Sequence, residues 1–67
     1  MQNQDAIAPK EYLINKRIDG AKKLLIESDA TVTEIALSVG YDDPLYFSRI
    51  FKKREAISPQ TYRNQFK

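Results

Sequence analysis

The stretch "TVTEIALSVGYDDPLYFSRIFKK", Thr31 to Lys53, contains two helix starts and one stop. Thr31 with Glu34 three positions on is a capping box. The hydroxyl accepts from the backbone N–H of the third helical residue, and the carboxylate accepts from the N–H of the cap. Val32, Ile35, Ala36 and Val39 then recur at i, i+3, i+4 and i+7, which is one apolar stripe of a short helix. Gly40 ends that helix, because glycine takes a positive φ without steric cost. Asp43 is a second N-cap. Pro44, at the first helical position, lacks an N–H that would have no partner there. Phe47, Ile50 and Phe51 give the second helix its buried face.

Two short helices joined through Gly-Tyr-Asp-Asp are the outline of a helix-turn-helix. Ala36 is small, so the second helix can cross the first closely and steeply. With Phe47, Ile50 and Phe51 inward, Leu45, Ser48, Arg49 and Lys52 fall on the opposite face. A helix of this kind sets its N-terminal residues against base edges in the major groove. Arg49 suits a bidentate pair with guanine O6 and N7, Leu45 a thymine methyl, and Ser48 a base or a phosphate. Tyr46, Lys52 and Lys53 suit phosphates, as does Thr33 in the first turn of the helix before; such contacts fix register without reading sequence. Other readings stand beside these. The corner can be packing alone, Arg49 can pair with Asp42 or Asp43, Tyr46 can be half-buried structure, and Lys53 and Arg54 can serve solubility.

Outward from this unit, "ESDA" breaks the helical pattern. Before it, a long helix is predicted from Pro9 to about Ser28, with Leu13, Ile14, Ile18, Ala21, Leu24 and Leu25 on one stripe. Lys10, Lys16, Lys22 and Lys23 fall largely off that stripe. Gly20, inside this helix, costs about 1 kcal/mol relative to alanine. It either admits a close neighbour or is a tolerated weak position. After the unit, Ser58 and Pro59 start a further short helix. No segment alternates with period two, so no strand is predicted and the fold class is all-α: a small helical bundle. Its parts are a long first helix (9–28), the helix-turn-helix and a short C-terminal helix (29–67).

The 67 residues allow one small domain with a thin core. Apolar residues make up 42% and charged residues 30%, a globular composition. There is no cysteine and no histidine, which excludes disulfides and Cys/His zinc sites. The lack of cysteine fits a reducing, cytoplasmic setting. No run reaches the ~20 apolar residues a membrane helix needs, and "MQNQDA" is not a secretory start. Net charge is +2, from 11 basic and 9 acidic side chains. Four of the basic ones lie in "RIFKKR", Arg49 to Arg54. A local basic cluster near aromatics is a nucleic-acid footprint or a solvated helix face. No metal or cofactor is expected. An enzyme is disfavoured, since serine would lack a histidine partner and the carboxylates fall in caps and on solvent faces.

One phrase occurs twice. "EAISPQTY", Glu55 to Tyr62, matches "DAIAPKEY", Asp5 to Tyr12. Taken with Ile35-Ala36, Val39-Gly40-Tyr41, Asp43, Tyr46 to Arg49, Phe51 to Lys53, Ser58-Pro59 and Tyr62-Arg63, the sequence resembles AraC/XylS-type bacterial transcription regulators. Upstream, Tyr12-Leu13, Arg17-Ile18, Ala21 and Leu24-Leu25 resemble the helix joining that family's two helix-turn-helix units. The likeness covers about residues 7 to 63. It implies that residues 1–8 are the tail of a first unit, 9–28 the joining helix and 29–67 the second unit. It implies a fragment or truncated product of a longer regulator. The chain departs from the family pattern at Ala6 and Ala56, where glycine is usual, and at Ala8, where serine is usual. A left-handed alanine costs roughly 1 kcal/mol, so the turn at Ala56 is a place where this chain can differ.

The resemblance implies sequence-specific binding to double-stranded DNA, with helix 44–54 in the major groove. RNA polymerase is a further implied partner. Any effector ligand would bind outside these residues, and no membrane is involved. The alternative function is protein interaction, including self-association through Leu13 or Ile14 on an exposed joining helix.

Overall fold

The computed structural model describes residues 9–67, so Ala6, Ala8 and the rest of the first phrase before Pro9 lie outside the described residues. Four helices follow in order: α1 Lys10–Glu27, α2 Val32–Ser38, α3 Pro44–Glu55 and α4 Pro59–Phe66. No strand occurs among the described residues. The fold is all-α, as the periodicity predicts.

The caps account for the boundaries. Thr31 Oγ1 accepts from the Glu34 N–H at 3.1 Å, and Glu34 Oε1 accepts from the Thr31 N–H at 2.8 Å. Both halves of the box are therefore present. Gly40 follows α2 at φ +105°. Asp43 Oδ1 accepts from the Leu45 N–H at 3.0 Å at the start of α3. Ser58 accepts from the Thr61 N–H at 3.2 Å at the start of α4. Ala56 takes φ 71°, the left-handed conformation, and its N–H donates to Lys52 at 2.8 Å. The turn thus keeps a glycine-like shape without glycine.

The core joins all four helices. Ile18, Ala21 and Leu25 of α1 meet Ile35 and Ala36 of α2, Tyr41 of the turn, and Phe47 and Phe51 of α3. Tyr62 of α4 and the partly buried Ile14, Leu24, Val32, Val39 and Ile50 pack around them. Aromatic rings form a continuous column from this core to the surface at Phe66. Centroid separations are 5.7 Å for Tyr41–Phe47, 5.9 Å for Phe47–Phe51, 5.5 Å for Phe51–Tyr62 and 4.7 Å for Tyr62–Phe66. The i, i+4 spacing of Phe47/Phe51 and Tyr62/Phe66 puts both members of each pair on one helix face. Truncating Phe47 or Phe51 to alanine removes ~3–5 kcal/mol from so small a core.

α1 packs closely on α2 and α4. Gly20 faces α2, but a Cβ there would lie 3.6 Å from Val39 Cγ1, an ordinary contact. Of its two sequence readings, the tolerated weak position holds, since the space does not require glycine. On the same helix Leu13 keeps 48% of its surface exposed, while Ile14 is half-buried.

Candidate nucleic-acid interface

α3 is anchored by two fully buried phenylalanines, so its opposite side is open. Leu45 is 77% exposed, Arg49 and Lys52 are exposed, and Ser48 is half-buried. With Asp43, Tyr46 and Ser58 they line one open concavity of about 600 Å³. The three residues expected at base edges therefore share a surface with Lys52. Tyr46 is exposed, with its ring 5.9 Å from that of Tyr41. Thr33 is exposed in the first turn of α2.

The basic run Arg49 to Arg54 does not act as one patch. Lys53 and Arg54 line a separate hollow with Glu11, Ile14 and Ile50. Arg54 spans from α3 to α1, donating to Asn15 and pairing with Glu11. Its role is therefore structural, beyond the solubility considered from sequence. Arg49, Lys52 and Lys53 make no ion pair or side-chain hydrogen bond among the described residues. Pairing of Arg49 with Asp42 or Asp43 is not found, and Asp43 serves as a cap. Lys52, Lys53 and Arg54 all sit in the last turn of α3, where positive charge complements the helix dipole.

Sequence reasoning missed three arginines. Arg17 lies against Gly40 and Tyr41, Arg54 ties α3 to α1, and Arg63 holds the end of α1. Their partners lie far away in sequence, and local periodicity carries no signal for them.

Lys22 of α1 also reaches α3, with Nζ 3.4 Å from Glu55 Oε1. Burial works against its charge. The Glu55 carboxylate and its hydrogen bond, with Asp19 adding, outweigh that and hold the ammonium above its ordinary value of 10.5. Among the described residues no three His, Cys, Asp or Glu side chains converge to hold a metal. No described helix is long and apolar enough to cross a membrane.

A helix-turn-helix domain family model matches residues 1–65. The chain belongs to the AraC/XylS-type helix-turn-helix family. One relative in it is the lactose operon transcription activator of Staphylococcus xylosus. It is 44% identical over 59 residues, which is 88% of this chain and 21% of that protein. Another is the HTH-type transcriptional activator RhaS of Yersinia pestis, 35% identical over 65 residues, or 97% of this chain and 24% of that one. Among solved structures, the C-terminal domain of the two-component response regulator yesN from Fusobacterium nucleatum superposes with a TM-score of 0.81. It is 39% identical, covering 90% of this chain and 59% of that domain. The AraC/XylS-type chain spans about a fifth of the length of the curated relatives it matches.

Proposed function

We propose that this chain is the DNA-binding part of an AraC/XylS-type transcription regulator acting in the cytoplasm, and that α3 enters the major groove. The observation that carries this reading is the open face of α3. Leu45, Ser48, Arg49 and Lys52 line one concavity, and the two cations have no internal partner among the described residues. In this reading Arg49 pairs with guanine, Leu45 packs on a thymine methyl, and Ser48 bonds a base edge. Thr33, Tyr46, Lys52 and Lys53 hold phosphates. α1 acts as the joining helix between two such units. Its 18 residues give about 27 Å of axial length, comparable to the ~34 Å between successive major-groove faces.

The experiment is a binding titration on a mixed-sequence duplex at several salt concentrations. With ~3–5 phosphates neutralised, the log–log slope is about −3 to −5. A slope near zero rejects the reading. Arg49→Ala is expected to lose ~1–3 kcal/mol on its preferred sequence and less elsewhere. An equal loss on all sequences assigns Arg49 to phosphate.

A second reading has its own observation. Tyr12 and Leu13 are both exposed near the start of α1, and exposed apolar surface favours association with another copy or with a protein such as RNA polymerase. Sedimentation across a concentration range tests the first of these, and a strict monomer throughout counts against it.

A further inference from the structure

We propose that Arg17 of α1 is a positioning residue for α3, setting the angle of the reading helix through the turn; this rests on the DNA-binding reading above. Arg17 carries five N–H donors, yet makes no hydrogen bond or ion pair among the described residues. It is half-buried all the same. Its guanidinium lies on the turn between α2 and α3. A Cβ at Gly40 would sit 3.1 Å from Nε and 3.2 Å from Cζ. Gly40 therefore serves twice: it supplies the positive φ, and it leaves room for the guanidinium.

On the next residue, Arg17 Cζ stands 5.1 Å from the centroid of the Tyr41 ring, within cation–π range. That ring touches Tyr46 at 5.9 Å and Phe47 at 5.7 Å, both at the start of α3. The Tyr41 hydroxyl is buried and has no hydrogen-bond partner among the described residues. No polar bond therefore orients the ring; its packing faces do. Arg17 covers one of them, and the first turn of α3 meets the ring as well. The position of Leu45, Tyr46 and Arg49 is thus tied to a side chain on α1.

Arg17→Met keeps the stem and removes the planar cation. Arg17→Lys keeps the charge but not the plane, and serves as the working variant if Arg17→Met does not fold. Each is compared with the parent by ring and amide NMR shifts and by binding to a mixed-sequence duplex across a salt series. Both variants are expected to shift Tyr41, Tyr46 and the amides of Gly40 to Phe47. Binding weakens about 2- to 5-fold in Arg17→Met, the fold-change of a lost cation–π contact, and by a smaller factor in Arg17→Lys, whose salt slope is unchanged. Parent-like binding by Arg17→Lys, or unmoved Tyr46 resonances, overturns the proposal. So does a slope that falls by about one in Arg17→Met beside parent-like Tyr41 shifts, which assigns Arg17 to a phosphate. A parent that does not bind DNA overturns the DNA-binding reading and this proposal together; a binding parent beside equally tight variants overturns this proposal alone.

Discussion

The guanidinium of Arg63 on α4 donates from Nε to the carbonyl of Leu25 on α1 at 3.0 Å, and from Nη2 to the carbonyl of Ser28 at 3.0 Å. α1 has no basic side chain in its own last turn. Its terminal carbonyls carry the negative end of the helix dipole. The C-terminal helix supplies the missing charge from 38 residues away. Lys67 is a second donor to the Ser28 carbonyl, at 2.9 Å. Arg63→Met, which keeps the stem, is expected to lower unfolding stability by ~1.5–3 kcal/mol, the range for hydrogen bonds to a charged group. Urea denaturation measures it.

Ala56 holds a left-handed conformation at φ 71° with an ordinary side chain. Ala56→Gly removes the Cβ clash and is expected to raise stability by ~0.5 kcal/mol, the strain of a left-handed alanine less the larger unfolded-state entropy of glycine. The urea midpoint rises if the strain is real. An unchanged midpoint means the turn already relaxes it.

Gly20 gives the opposite substitution. It sits inside α1, and a Cβ there reaches Val39 Cγ1 at 3.6 Å without overlap. Gly20→Ala is expected to stabilise by ~0.5–1 kcal/mol from helix propensity alone. A thermal melt is sufficient, and destabilisation would show that α1 and α2 sit closer than this geometry.

Two ion pairs give the pH dependence opposite signs at its two ends. The Lys67 hydrogen bond and charge hold Asp29 below its ordinary value of 3.8. A depressed acid contributes stability above that value and loses it as pH falls through the folded pKa. Lys22 is raised above 10.5, so its contribution is present below 10.5 and lost as pH rises beyond it. Urea midpoints measured against pH are expected to fall at both ends. Lys67→Met flattens part of the acid limb, and Lys22→Met part of the alkaline limb.

What was legible in the sequence was local. Thr31 with Glu34, Asp43 with Pro44 and Ser58 with Pro59 each announce a helix start, because a cap is satisfied within three residues. The outer face of α3 followed from the spacing of Phe47 and Phe51, which leaves Leu45, Ser48, Arg49 and Lys52 on the other side. The arginines were not legible. "RIFKKR" looks like one basic cluster, yet Arg54 turns to Glu11 and Asn15 on α1. Arg17 has no role in the helical pattern of 9–28 and lies on the Gly40 turn. A long side chain reaches across the fold, and its partner is set by tertiary packing that no periodicity records.

The central claim is that the open face of α3 meets DNA, and amide NMR of this chain titrated with a mixed-sequence duplex at low salt tests it most directly. The account predicts shifts concentrated on Leu45 to Lys53 and at Thr33, fading as salt is raised. A folded spectrum whose shifts fall on Tyr12, Leu13 and the outer side of α1, or that does not shift at all, would contradict it.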